Sequence, residues 1–210
     1  MPERGAVTNV DAVRRGIEEL LSRHETEPEH VRHVCRLSLE LHDALQSIHG
    51  LGSEERLLLE FAALLHDIGW SATQPDGKGH HKESARMIRE HPWTGLDARG
   101  VALCAQIARY HRKAVPDVAH PEFAALSAPD RRRVRWLSAI LRVGDALDRR
   151  HVQRVARATA TAAGKTLRVT ATGDGEIGAE LEAANRKGDL LRALWPGEVA
   201  FDADPGRVGG

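Results

Sequence analysis

A chain of 210 residues, 41% hydrophobic but only 4% aromatic, can close one sizeable core built mostly from alanine and leucine, which favours helices. Lys+Arg and Asp+Glu balance at 30 each, so bulk charge names no polyanionic partner and nucleic acid is not expected. There is no apolar run of about 18 residues, no signal-peptide core and no C-x-x-C pair around Cys35 or Cys104, which points to a reduced, cytoplasmic protein without a membrane span. In chain order, apolar residues at helical spacing predict helices over residues 9–24 (Val10, Val13, Ile17, Leu20, Leu21) and 27–45 (Val31, Val34, Leu37, Leu41, Leu45). Residues 53–67 form the central helix, with Ser53 as its cap, Glu54 and Glu55 in its first turn and Gly69 as its stop. A Gly/Pro/Asp-rich loop over 74–79 leads to a helix that His80-His81 open and that runs to about Glu90. Residues 97–111 are helical again, 116–129 read as a loop anchored by Phe123 and Leu126, and a long helix runs from Asp130 to about Ala158.

The pattern then changes. Leu167, Val169 and Ala171 alternate with polar neighbours, as do Ile177, Ala179 and Leu181, with Asp174-Gly175 between them as a hairpin turn. Residues 182–194 are helical and Val199-Ala200-Phe201 is a short strand. The expected fold is therefore mainly α: a helical domain over 1–160, a small α/β (β-β-α-β) appendage over 161–205, and a disordered tail over 206–210.

The apolar run from Leu57 to Leu65 ends abruptly in His66-Asp67. An imidazole and a carboxylate carried out of a core together need partners, because unpaired polar groups there are costly. A metal ion would satisfy both. Eleven of the twelve histidines fall between His24 and His120. His30 shares a stripe with Val34, Leu37 and Leu41; His111 follows Ile107 and Ala108; His81 opens its helix. Asp145 lies on the stripe through Leu141, where a carboxylate has to be paired, by a metal or by Arg142 or Arg149. Each histidine alone reads as an ordinary hydrogen-bonded imidazole; the set, spread over five helices, is harder to explain so.

The order His…His-Asp…Asp on helices resembles the HD-domain superfamily of metal-dependent phosphohydrolases. The stretches EHVRHVCRLSLELHDAL, HGLGSEERLLLEFAALLHDIG, GHHKESARMI, ARYHRKAVP and LSAILRVGDALDRRH are similar to the C-terminal half of exopolyphosphatase/guanosine pentaphosphate phosphohydrolase (Ppx/GppA) proteins, over about residues 25–160. The appendage resembles the α/β domain that ends those proteins. The resemblance implies that His30, His66, Asp67 and Asp145 hold one metal, and that His81 and His111 hold a second, with Asp67 as bridge and as the catalytic carboxylate. His30 fits the motif better than His33, because Val34 follows it by four residues; Glu83 departs from the family pattern, which often has histidine there. His80, Lys82, Arg112 and Arg149 are the expected substrate-binding residues. Arg131, Arg132, Arg133, Arg150 and Arg154 read as a solvated helix face.

The cofactor implied is one or two divalent ions, Mn, Fe, Co, Ni or Zn, with Mg less suited to imidazole donors. Two ions sharing Asp67 would activate water for in-line attack on phosphorus. No serine or cysteine is set up as a separate nucleophile. These 210 residues hold no actin-like ATPase half, so exopolyphosphatase activity by that half's mechanism is not implied. The acidic pair of guanosine tetraphosphate hydrolases and the Gly-Tyr-Pro signature of cyclic di-GMP phosphodiesterases are absent too. The expected function is hydrolysis of a phosphate ester or anhydride, of nucleotide, alarmone or polyphosphate type. The alternative is a non-catalytic polyphosphate- or alarmone-binding or dimerisation module that partners a separate phosphatase, for which a homodimer is compatible.

Overall fold

The computed structural model describes residues 5–204; the tail expected over 206–210 lies outside them. Asn9 caps α1 (Val10–His24) by accepting from Ala12 N at 3.0 Å, and Val13, Ile17, Leu20 and Leu21 turn inward. Pro28 starts α2 (Pro28–Ala44), a position where its missing N–H sacrifices no helical bond. After the single turn α3 (Gln46–His49) comes α4 (Ser53–Leu65). Its cap is Gly52, not the expected Ser53: Glu55 Oε2 accepts from Gly52 N at 2.8 Å, so an acidic third residue does the capping. A short 3-10 helix, Ile68–Ala72, follows, then α5 (His80–Glu90), α6 (Ala98–Arg109, capped by Asp97), the single turn α7 (Pro121–Ala124) and α8 (Ala128–Ala146). Helices α2, α4, α6 and α8 pack against one another, and α5 lies against α6 and the 3-10 helix. No helix among the described residues is long and apolar enough to cross a membrane.

Past α8 the chain differs from expectation in two places. The helix ends at Ala146, about twelve residues early, and the strand β1 (Val155–Ala163) begins before the expected boundary at 160. The signal is real but was masked: Val155, Ala158 and Ala160 are buried, yet the segment is alanine-rich and reads as helix. Asp148 sets the turn between the two elements, accepting from Gln153 N at 2.8 Å and Gln153 Nε2 at 3.0 Å. β1 pairs antiparallel with β2 (Thr166–Gly173) around Gly164, whose φ of 60° the turn requires.

The second difference is at Ile177–Leu181, expected as a strand. Ile177 caps a helix, α9 (Gly178–Lys187), because Ile177 and Leu181 are also one helical turn apart, while Glu180 points inward to Arg150. Asp174-Gly175 is thus a strand-to-helix loop. A second short helix, α10 (Asp189–Leu194), leads to β3 (Glu198–Ala203), which pairs parallel to β2 and completes the order β1-β2-β3. The architecture is a mainly α bundle followed by a small α/β unit.

The two parts are held together by α8. Arg142, almost fully buried, donates to both oxygens of Asp189 and to Tyr110 O. Arg150 grips the buried Glu180 with two bonds of 2.7 Å, and Lys187 pairs with Asp145. Of the five arginines expected to be solvated, Arg132, Arg150 and Arg154 are exposed and Arg131 and Arg133 are half-buried. All five also make hydrogen bonds: Arg131 donates to Ala124 O and Leu126 O, Arg132 to His49 O, Arg133 to Glu55, and Arg154 to Glu176 O.

Candidate metal centre

Four imidazoles are oriented in one way. His66 and His111 follow the last turns of α4 and α6, and each Nδ1 donates to a carbonyl three residues back, Ala63 O and Ala108 O, both at 2.7 Å. Those carbonyls are left over where a helix ends, so the helix terminus itself fixes the ring. His80 Nδ1 donates to Gly77 O at 2.9 Å, and His30 Nδ1 to Asp148 Oδ2 at 2.8 Å. A carbonyl can only accept, so Nδ1 carries a proton in His66, His80 and His111 and Nε2 is the nitrogen turned inward. Trp70 stacks on His80 at 4.6 Å, and His151 stacks on His30 at 3.7 Å, which holds those two rings in plane. Outward Nδ1–H bonds of this kind are how proteins orient ligating histidines.

Between the rings lies Asp67, buried, its two oxygens facing different pairs. Oδ2 is 3.5 Å from His66 Nε2 and 3.8 Å from His30 Nε2; Oδ1 is 3.1 Å from His80 Nε2 and 3.5 Å from His111 Nε2. Asp145 Oδ1 lies 3.8 Å from His30 Nε2. Donor atoms of His30, His66 and Asp145 lie within 4.8 Å of one another, as do those of His66, Asp67 and His111. His30 Nε2, His66 Nε2 and Asp67 Oδ1 are buried without an aligned hydrogen bond, despite the short His80–Asp67 approach. Each such atom costs about 1–3 kcal/mol, so three in one place are a large burden beside a total stability of about 5–15 kcal/mol. A divalent ion would satisfy them together, and the donor set fits one.

Burial pushes His111 well below the usual imidazole range, keeping its Nε2 unprotonated. Burial also opposes ionisation of Asp67 and Asp145; positive charge on protonated neighbouring imidazoles, His66 foremost, outweighs it at Asp67, and Lys187 outweighs it at Asp145, so both carboxyls are held well below their ordinary range. The centre opens on two sides. One mouth, a cavity of about 260 Å³, reaches Asp67, His80, His111 and Asp145 past Arg112, Arg149 and Lys187. The other is lined by Glu25, Glu27, Gln74 and His151. An anion approaches favourably only by the first.

A family model described as Ppx/GppA phosphatase, domain III, matches residues 13–175. The chain belongs to that family. The matched span of this domain III chain runs from α1 to past the end of β2 and contains the whole donor cluster; of the cavity's lining, Ala183, Arg186 and Lys187 lie beyond it.

Of the residues named from sequence, His30, His66, Asp67, His111 and Asp145 come together, and Arg112 and Arg149 line the cationic mouth. His80, expected to bind substrate, and His81, expected to be a metal ligand, lie in different surroundings from those expectations. His80 faces Asp67, with Arg112 Nη1 3.3 Å from both its ring nitrogens, while His81 lines a neighbouring cleft with Lys78, Lys82 and Tyr110. Lys82 goes with His81 and so lies outside the mouth where it was expected. The partner of Asp145 is neither Arg142 nor Arg149 but Lys187. Sequence reasoning missed Lys187, Asp148 and the stacking partners Trp70 and His151. A second carboxylate three residues after Asp145, about one helical turn on (Asp148), was the one available hint.

Proposed function

We propose that this domain III chain is a metal-dependent phosphohydrolase of the HD type, cleaving a phosphate ester or anhydride of the nucleotide, alarmone or polyphosphate class. One observation carries the reading: Asp67 turns one oxygen to His30 and His66 and the other to His80 and His111. That division suits a carboxylate shared by two ions. One imidazole nitrogen binds one ion, so His30, His66 and Asp145 would hold the first and His80 and His111 the second. Mixed imidazole and carboxylate donors suit Mn, Fe, Co, Ni or Zn. Ions so bound would polarise a phosphoryl oxygen and acidify water.

The chain's own residues do the rest. Arg112 and Arg149 neutralise and orient phosphoryl oxygens at the cationic mouth, and Asp148 and His151 keep the His30 ring aligned. Cys35 and Cys104 are not nucleophiles: both are buried, and burial pushes the Cys35 thiol up to about 12 and Cys104 higher still. The second reading is a non-catalytic polyphosphate- or alarmone-binding or dimerisation module beside a separate phosphatase. The observation in its favour is Lys187, whose ammonium neutralises Asp145 with no metal needed.

Elemental analysis of protein purified without chelators, followed by a phosphate-release screen with Mn²⁺, Co²⁺ or Ni²⁺, separates the two. The hydrolase reading expects bound transition metal and phosphate release from nucleotides, guanosine tetraphosphate or polyphosphate. Metal-free protein that binds polyphosphate and releases nothing would instead establish the binding module.

A further inference from the structure

We propose that Lys187, carried by the appendage helix α9, is a phosphoryl-binding side chain of the metal pocket, so that the α/β appendage builds one wall of the site. The proposal rests on the phosphoryl-site reading above and adds a residue and a division of labour to it.

The geometry points there in three ways. First, Lys187 Nζ contacts Asp145 Oδ2, whereas it is Oδ1 that faces His30. The ammonium therefore sits beside the donor cluster, on the outer oxygen, and leaves the inner oxygen to the cluster. Secondly, the cavity that reaches Asp67, His80 and His111 is walled on its far side by Ala183, Arg186 and Lys187, all from α9. With Arg112 and Arg149 from the bundle, these residues ring the mouth with cations, although the chain as a whole is neutral. Thirdly, the helix is held in place with unusual firmness. Glu180 near its start is buried and clamped by Arg150, and Asp189 just past its end is clamped by the buried Arg142. Lys187 is 28% exposed, which leaves its ammonium open to the cavity while Asp145 aims it.

A lysine aimed by one carboxylate oxygen into a cation-rimmed cavity is suited to bind a phosphoryl oxygen as a point charge. It retains two further N–H donors after serving Asp145. The bundle thus supplies the donor cluster and the appendage supplies charge for the anion. Because the family match ends at residue 175, Lys187 belongs to the part of the chain outside it.

The test uses the full chain saturated with Mn²⁺ and the non-hydrolysable diphosphate methylenediphosphonate, titrated by calorimetry, with Mn²⁺ titrated separately. Lys187→Ala should weaken diphosphonate binding at least tenfold at unchanged Mn²⁺ stoichiometry, and Lys187→Arg should keep most of the affinity. Circular dichroism melting of the variants identifies any loss caused by unfolding, and Lys187→Gln, which keeps the side chain's length without its charge and should also weaken diphosphonate binding at least tenfold, carries the test if the alanine variant is unstable. Unchanged diphosphonate affinity in Lys187→Ala would overturn the proposal, as would tighter Mn²⁺ binding with no change in the diphosphonate, because Lys187 would then be only a counter-ion to Asp145. Wild-type protein that binds no diphosphonate overturns it too. The hydrolase reading fails separately: protein that binds diphosphonate through Lys187 and yet releases no phosphate refutes hydrolysis alone.

Discussion

His80 and His81 are consecutive, so on an α-helix their side chains leave the axis about 100° apart and only one can face Asp67. The structure gives that place to His80, whose Nδ1 is tied to Gly77 O and whose face Trp70 covers. His80→Ala should therefore lower bound Mn²⁺ by one equivalent, or weaken it at least tenfold, while His81→Ala leaves stoichiometry unchanged; isothermal titration of both reads the difference, and the reverse result would return the ligand role to His81. The pair was ambiguous in the sequence because each heads a buried stripe, His80–Ser84 and His81–Ala85, and only the approach of the 3-10 helix distinguishes them. His49, which lies between His30 and His66 in the chain but outside the cluster, shows what a buried imidazole does when it is purely structural. Its Nε2 donates to His42 O at 3.0 Å and its Nδ1 accepts from Leu51 N at 2.9 Å, so protonation would break the second bond. Burial accordingly pushes it down to about 4. Between pH 6.5 and 4 the unfolded chain then binds the proton that the folded one refuses, so stability falls as pH drops through that window. Urea midpoints measured from pH 7.5 to 5 should decline, and His49→Gln should show a shallower decline from a lower starting point; an unchanged slope would mean that His49 titrates normally.

At the scale of elements, the contact that positions the centre is that of the 3-10 helix with α5. A Cβ at Gly69 would lie 2.3 Å from His80 O and 2.5 Å from Ser84 N, both backbone atoms, and Gly69 N donates to Ser84 Oγ at 2.9 Å. Gly69, read from sequence as a helix stop, is thus a close-approach glycine that lets α5 carry His80 to Asp67. Gly69→Ala should cost about 1–3 kcal/mol through overpacking. It should also weaken Mn²⁺ binding in the same protein, since α5 can yield only by moving His80. Thermal melting and metal titration together check this; a destabilised variant with wild-type metal affinity would mean that α5 and the centre are uncoupled. Helices α1, α2, α4, α5 and α6 were legible because their apolar residues recur at the helical period and their ends carry Asn9, Pro28, Glu55 and Asp97. β1 was not, because Ala156, Ala158, Ala160 and Ala162 bury too little to signal alternation and have high helix propensity. Ile177, Ala179 and Leu181 misled for the opposite reason: an apolar i, i+2, i+4 set satisfies a strand fully and a helix in part.

At the scale of the whole molecule, the part of the site that was legible is the part set by local pattern: His30, His66, Asp67, His111 and Asp145 sit at helix ends or on apolar stripes. Lys187 was not legible, since nothing in the local sequence of α9 states that it packs on α8. That packing makes the appendage more than an attachment. Buried residues of both parts form one continuous apolar cluster, from Val13 in α1 through Leu141 in α8 to Val169 in β2 and Leu191 in α10. Arg142 is its polar rivet, 5% exposed, bonded to Asp189, Tyr110 O and Lys113 O. Removing it leaves two carbonyls and a carboxylate without that partner. Fully buried pairs cost about 3–5 kcal/mol to break, and because Asp189 is 49% exposed and can regain water the loss here should be smaller, about 2 kcal/mol. In wild-type protein, native-state hydrogen exchange should give the slowest amides of β2 and of α8 the same opening free energy, that of global unfolding. Arg142→Met should lower both, and should lower β2 and α10 further than α2 and α4, because the appendage then opens before the bundle. A single uniform decrease across all elements would mean that α8 and the appendage remain one cooperative unit without this arginine. Wild-type β2 already less protected than α8 would mean that the bundle holds its histidine–aspartate cluster together independently of the appendage. In that case Lys187 would reach Asp145 only for part of the time.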